Sequence, residues 1–145
     1  MYKIIIVLAL FLNISLQAQT GPDAQAPALQ TLIRSSVVTG VSTQAPISNE
    51  ITAMRAIFQM PNAEMEFVKV YRYAETNAGK LYALMGMQAL QSQFFATFKT
   101  DYTRKQQGNV QVNLDGVESS RNAVNFLGEW EQAVEENQAY TRLRE

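Results

Sequence analysis

The stretch from Thr76 to about Tyr102 restricts the possible folds most, because no charged residue stands between Lys80 and Lys99. Apolar side chains recur on most sides of a helix drawn through this stretch, which is typical of a helix surrounded by protein. Polar residues between positions 88 and 93 interrupt the apolar run and argue against a membrane span. The sequence therefore predicts a central, largely buried helix near 76–102.

Two glycines lie inside this helix, within the motif TNAGKLYALMGM at residues 76–87. Gly79, Ala83 and Gly86 are four and three residues apart and so share one helix face. We expect this face of small residues to allow close approach of a neighbouring backbone. Lys80 has two interpretations, a reactive buried amine or a side chain whose methylenes cover apolar surface while its head reaches water. We favour the second interpretation, because Lys80 lies in the first turn of the helix.

Shorter helices are predicted before the central one. The segment NEITAMRAIFQM follows Ser48, a good N-cap, and is ended by Pro61. Residues 62–74 form a second amphipathic helix in this interpretation, with a strand as the alternative because EFVKVYRY also alternates. An earlier short helix begins near Leu29 and extends to Val37. The apolar line of the 62–74 helix is expected to contain Met65, Val68 and Tyr71.

The chain changes character after the central helix. The segment VQVNLDGV alternates apolar and polar residues before an Asp-Gly turn, which predicts a short β element near 110–117. A helical stretch from about Ser119 to Phe126 follows, and 129–145 is a peripheral polar tail. The fold class is therefore mainly α, a single helical domain of packed helical hairpins over residues 29–128.

The beginning of the chain predicts export. Residues 1–18 combine Lys3, an apolar run from Ile4 to Leu12 and a small residue at Ala18, the pattern of a cleaved signal peptide. Residues 19–28 are rich in proline and small polar residues and are expected to form a flexible leader. Because the chain has no cysteine, the exported protein must be stabilised without disulfides. We expect a soluble protein of the periplasm or the extracellular space.

Charge and composition exclude several classes of function. The formal net charge of −1 lacks the basic excess that nucleic acids or anionic membranes attract, so we expect a protein partner instead. Without histidine or cysteine the chain cannot build a Ser-His-Asp or Cys-His nucleophile, a thiol redox centre or a usual zinc site. We predict no catalytic residue, cofactor or metal ligand. A glycosidase-like carboxylate pair drawn from distant segments remains an alternative.

Aromatic residues supply the candidate binding positions. Tyrosines near and within the central helix, together with Phe94, Phe95 and Phe98, offer an aromatic groove for a peptide, glycan or lipid. An aromatic stripe on a helix is more often part of the core. The candidate binding residues are Tyr71, Tyr73, Lys80, Tyr82 and Tyr102.

The motif at residues 76–87 resembles one found in small exported bacterial proteins of uncharacterised function. That motif reads Ser or Thr, any residue, then Ala-Gly-Lys-Leu-Tyr-Ala-Leu, and the resemblance covers mainly residues 50–118. It implies an exported helical domain and no particular activity. In those proteins a later extended segment leads to a Gly-Cys pair, whereas here Gly116 is followed by Val117. A disulfide or thiol role is therefore not implied for this chain.

The sequence as a whole favours a noncatalytic binding protein that acts in envelope maintenance, inhibition or immunity. Two alternatives stay open at this stage. One is a carboxylate-dependent hydrolase of cell-wall or glycan material, which needs two carboxylates in one cleft. The other is a carrier of a small apolar ligand, which needs an internal apolar cavity.

Overall fold

The computed structural model describes residues 26–40, 46–105 and 108–135. The predicted signal peptide, most of the predicted leader and the last ten residues of the predicted tail lie outside these ranges. The described residues form a mainly α fold with a short β element, as the sequence predicts. Its elements are α1 (Ala26–Ile33), β1 (Val37–Thr39), α2 (Asn49–Phe58), α3 (Ala63–Tyr73), α4 (Asn77–Ala89), α5 (Phe95–Arg104), β2 (Asn109–Leu114), β3 (Val117–Asn122) and α6 (Ala123–Glu135).

Helix α4 is the centre of the fold. Every residue from Leu81 to Met87 is buried, and the helix contacts α1, α3, α5, α6 and the sheet. This explains why charged residues are absent, because each side of the helix faces other protein. No helix in the described ranges has both the length and the apolar character needed to cross a membrane.

The predicted single helix near 76–102 is in fact two helices, α4 and α5. The chain turns between them at Gln91, whose φ of 53° lies in the left-handed region. Ser92 stabilises the turn, because its N–H donates to the carbonyl of Met87 at 2.8 Å and its Oγ accepts the N–H of Phe94 at 3.1 Å. The same hydroxyl donates to Glu64 of α3 at 2.6 Å. Polar residues that interrupt the apolar run therefore end one helix and begin the next.

The two glycines of α4 permit two different close contacts. A Cβ atom at Gly79 would lie 2.6 Å from the carbonyl oxygen of Leu32, so the backbone at the end of α1 approaches α4 there. A Cβ at Gly86 would lie 2.4 Å from the ring of Phe67, which packs directly on that position. The expected backbone approach is thus confirmed at Gly79, whereas Gly86 accommodates an aromatic ring.

Helix α3 confirms the helical interpretation of residues 62–74, but its predicted apolar line is shifted. Met65 is 44% exposed, whereas Phe67 and Val70 are fully buried beside the predicted Tyr71 and Val68. The buried face turns towards α4 because the ring of Phe67 fits over Gly86. The surface of α4 therefore determines which stripe of α3 is buried. The sequence of α3 alone does not contain that information.

The sheet has three strands in the order β1-β2-β3, and it corrects two helical predictions. The helix predicted from Leu29 begins already at Ala26, within the predicted leader, and it ends at Ile33. The β-branched segment at Val37–Thr39 instead pairs in parallel with β2, with Val38 opposite Val112. These strands are far apart in sequence. Their pairing therefore depends on the tertiary fold.

The second correction concerns the stretch from Ser119. It forms strand β3 to Asn122, antiparallel to β2, and helix α6 starts only at Ala123. Asp115 and Gly116 both have positive φ, 53° and 81°, which confirms the predicted Asp-Gly turn and makes it a type I′ hairpin turn. Helix α6 continues to Glu135, across the boundary at 128 between the predicted domain and tail.

Candidate functional site

The structure does not gather the five candidate binding residues into one site. Tyr82 and Tyr102 are fully buried and Tyr71 is 5% exposed. Lys80 is half-buried, and Tyr73 is 68% exposed on α3. The candidates that are not fully buried lie at two separate places with different chemistry. One surrounds Tyr73, and the other contains Lys80 and Tyr71.

The Lys80 side of the molecule contains a cluster of aromatic and charged groups from three helices. The Tyr71 hydroxyl lies 3.1 Å from Asp101 Oδ2 and 3.3 Å from the carbonyl oxygen of Phe98. The rings of Tyr71 and Phe98 are tilted at 56° with centroids 4.7 Å apart. Lys105 Nζ is 2.9 Å from Asp101 Oδ2, and Lys80 Nζ is 5.9 Å from the centroid of the Tyr71 ring.

The charges of this cluster are matched internally. Burial, and then the hydrogen bond to Asp101, raises the pKa of Tyr71 well above its usual range, so the phenol stays a donor. The hydrogen bond from Lys105 lowers the pKa of Asp101 and keeps it an acceptor. The distance from Lys80 Nζ to the Tyr71 ring suits a cation–π contact. These contacts support the interpretation of Lys80 as a packing residue.

The two fully buried tyrosines connect parts of the core. The hydroxyl of Tyr82 accepts the backbone N–H of Thr39 at 2.7 Å, so α4 is joined to strand β1. Burial raises the pKa of Tyr82 to about 12. Burial also raises the pKa of Tyr102, on α5, above its usual range. Neither side chain presents surface that a partner could contact.

Tyr73 belongs to an exposed surface along α3. Residues spaced by three or four positions share a helix face, which places Met65, Lys69 and Tyr73 together with Arg72 at their edge. Met65 is 44% exposed, and Lys69 pairs with Glu66 at 2.7 Å. We call this surface the α3 ridge and define it by Met65, Lys69, Arg72 and Tyr73. It combines two exposed hydrophobic side chains with two cations.

Two depressions lie along α5, and the second of them also reaches the start of α6. One depression of about 370 Å³ is lined along α5, and a second of about 400 Å³ lies next to it. Thr103 lines both depressions, and we call the two depressions together the α5–α6 groove. The described lining residues are Lys99, Thr100, Thr103 and Arg104 of α5, Gly108, Asn122 at the end of β3, and Val124 and Asn125 of α6.

Carboxylates are dispersed over the described residues. Glu64 bonds Ser92, Asp101 bonds Tyr71 and Lys105, and separate ion pairs join Glu129 to Arg121 and Glu131 to Lys99. No group of three or more acidic residues in the described ranges could hold a metal ion. Neither depression contains a carboxylate among its described lining residues. Nothing in these contacts favours the hydrolase alternative.

The sequence indicates one wall of the α5–α6 groove but not the other. The Lys99/Thr103 and Thr100/Arg104 spacings do place four groove residues on one side of α5, which is a detectable signal. The other wall begins at Asn122, however, which the sequence predicts to lie within a helix from Ser119. Only the strand-to-helix junction brings Asn122 and Val124 next to Thr103.

Comparisons of the chain with models of protein families, with curated proteins and with solved structures found no match. The resemblance of residues 76–87 to small exported proteins stays a prediction. Any functional conclusion must therefore come from the surfaces described above.

Proposed function

We propose that this chain is an exported, soluble, noncatalytic binding protein whose partner is another protein. The observation that supports the proposal most directly is the α3 ridge, where Tyr73 is 68% exposed and Met65 is 44% exposed. Tyrosine is enriched among the residues that dominate protein interfaces, and methionine adapts to irregular surfaces. Envelope maintenance, inhibition of another protein and immunity are the roles that such a module would serve.

The composition of the ridge suits protein recognition. Tyr73 offers a large rigid contact area with a polar tip, and Arg72 adds donors in a fixed fork. The ridge lies on a helix whose opposite face is buried in the core, so it is already ordered before a partner binds.

Photo-cross-linking from the ridge tests the proposal. Tyr73 is replaced by p-benzoylphenylalanine in the full chain, which is produced in its native envelope and irradiated, and covalent adducts are identified by mass spectrometry. We expect one predominant protein adduct. The control places the same cross-linker at Ile47, which is also exposed, at 55%, but lies outside the ridge. Adducts equal in identity and yield at the two positions, or no adduct at Tyr73, would contradict the proposal.

A further inference from the structure

Strand β3 forms one edge of the sheet. Within the described ranges it pairs with β2 only, so its outer side has no strand beside it. The side chains of this strand reach solvent, because Glu118 and Ser120 are exposed and Val117 is 68% exposed. An edge of this kind offers its backbone N–H and C=O groups to another strand.

The hairpin turn decides which residues of β3 point their backbone groups outward. In a two-residue hairpin the residues that flank the turn, here Leu114 and Val117, form a hydrogen-bonded pair. Hydrogen-bonded and non-bonded pairs then alternate along the ladder, so every second residue of β3 directs its N–H and C=O away from β2. The outward residues are Glu118, Ser120 and Asn122. Their side chains share the solvent-facing side of the sheet, since the residues opposite them on β2 alternate with the buried Val110 and Val112.

The two edges of the sheet differ in how they are covered. At the β1 edge the backbone N–H of Thr39 donates to the hydroxyl of Tyr82 at 2.7 Å, so α4 covers that edge. Strand β3 has no bulge in its pairing with β2 and contains neither proline nor lysine, the features by which edge strands commonly avoid other strands. Its basic side chain, Arg121, pairs with Glu129 of α6 at 2.7 Å. The β3 edge is therefore open to another strand.

The outward residues of β3 are complementary to a second copy of the same strand. A two-fold axis perpendicular to the sheet at Ser120 makes two β3 strands antiparallel and places Glu118 of each copy opposite Asn122 of the other. The Oδ1 atom of Asn122 accepts the N–H groups of Val124 and Asn125, so its NH₂ group remains a donor for a carboxylate. The carboxylate of Glu118 has no ion pair with any described residue.

The same register also covers the exposed hydrophobic residue of the strand. It places Val117 opposite Ala123 of the second copy, where α6 of that copy begins. A register centred on Ser119 instead places Asn122 opposite the turn residue Gly116 and loses the carboxylate–amide pair. Pairing about Ser120 therefore uses the side chains of β3 best.

We propose that the chain forms a two-fold symmetric dimer in which the β3 strands pair antiparallel about Ser120. The two three-stranded sheets then become one continuous sheet. The backbone groups of the two Ser120 residues bond each other, and each Glu118 carboxylate accepts from Asn122 of the second copy. This proposal does not depend on the α3 ridge.

Single cysteines test the register, because the chain contains no cysteine of its own. Ser120→Cys brings two Cα atoms to about 5.5 Å in the dimer, which is within the range for a disulfide. We expect this variant to form a disulfide-linked dimer under mild oxidation, seen by non-reducing electrophoresis.

Two further positions serve as matched controls for this cross-linking. Gln111→Cys lies opposite Ser120 on β2 and is exposed on the same face, but it is one strand away from the edge. Ser119→Cys lies on the other face of β3. Both controls should stay mainly monomeric. Equal cross-linking at 111 and 120, or stronger cross-linking at 119 than at 120, would overturn the proposal.

Sedimentation equilibrium measures the association itself. A strand-to-strand interface is small, so we expect a reversible dimer with a dissociation constant of about 10 to 200 µM. Glu118→Lys puts on the edge the residue that commonly protects edge strands, and it should weaken the dimer by about tenfold, or about 1.4 kcal/mol. Glu75→Lys makes the same change of charge at an exposed position outside β3 and should associate as the wild type does. A wild-type protein that stays monomeric at about 1 mM, or an equal effect of the two substitutions, would refute the proposal.

Discussion

At the scale of single residues, replacing a glycine in a helix can lower or raise stability, depending on the atoms that surround it. Gly79 and Gly86 are in the buried helix α4, where a Cβ atom would meet the Leu32 carbonyl or the Phe67 ring. Gly128 is in α6, where a Cβ atom would meet nothing within 4 Å. The helix propensity of glycine is the same in all three cases. Packing alone therefore decides whether a substitution raises or lowers the free energy of unfolding.

Substitution of these glycines by alanine tests that statement. We expect Gly79→Ala and Gly86→Ala each to lower the free energy of unfolding by about 1 to 3 kcal/mol, because a backbone carbonyl or a buried ring must move. Gly128→Ala should raise it by about 0.5 to 1 kcal/mol, because only helix propensity changes. Urea denaturation measures all three. Stabilisation by all three substitutions would show that the close contacts at Gly79 and Gly86 are not important, and destabilisation by Gly128→Ala would contradict the open space at that position.

At the scale of elements, helix starts provide both local and long-range connections. Ser48 Oγ accepts the N–H of Ile51 at 3.2 Å, a local cap at the start of α2. Thr76 Oγ1 accepts the N–H of Gly79 at 3.0 Å, and its hydroxyl also donates to the carbonyl of Ser35. Thr76 therefore caps α4 and holds the segment that leads into β1.

We expect the loss of each cap to lower the free energy of unfolding by a different amount. Ser48→Ala should reduce the free energy of unfolding by about 1 kcal/mol, the usual cost of losing an N-cap. Thr76→Ala should reduce it by about 2 to 3 kcal/mol, because the carbonyl of the buried Ser35 also loses its donor. Thr76→Ser keeps both hydrogen bonds and should restore most of the loss. Equal costs for the two alanine variants in chemical denaturation would show that the contact with Ser35 does not stabilise the fold.

At the scale of the whole molecule, stability depends on tyrosines that stay protonated. Tyr71, Tyr82 and Tyr102 come from three helices that meet in one core, and burial raises the pKa of each phenol above the usual tyrosine value of about 10. Ionisation of these phenols in the unfolded chain begins near pH 10, before it begins in the folded protein. The unfolded state then binds fewer protons than the folded state, and stability falls as pH rises.

An alkaline titration measures this effect. Below pH 10 we expect the full contribution of the three tyrosines, and above it a fall of up to about 4 kcal/mol per pH unit, about 1.4 for each phenol. In a variant whose other tyrosines, at positions 2, 73 and 140, are replaced by phenylalanine, circular dichroism and absorbance at about 295 nm should therefore change together, because the three buried phenols ionise only when the protein unfolds. Tyr102→Phe should reduce the slope by about a third. Ionisation without unfolding would contradict this account.

The sequence by itself determined the identity of the central helix and the hairpin turn, because both depend on local chemistry. The uncharged run after Lys80 requires a buried element, and the Asp-Gly pair at 115–116 selects a tight turn in any context. The break at Gln91 was also present in the sequence, as a group of polar residues. In a sequence, however, polar residues on the exposed face of a continuous helix cannot be distinguished from polar residues at the end of a helix.

Only the tertiary structure decided the strands β1 and β3 and the position of the α5–α6 groove. Val37 to Thr39 pair with β2, a partner that is distant in the chain, and a short β-branched segment has no stable conformation without such a partner. The groove likewise needs Thr103 of α5 and Val124 of α6 side by side. Local sequence fixes propensities and turn types, whereas the contacts between distant segments fix which faces are buried and which remain available for binding.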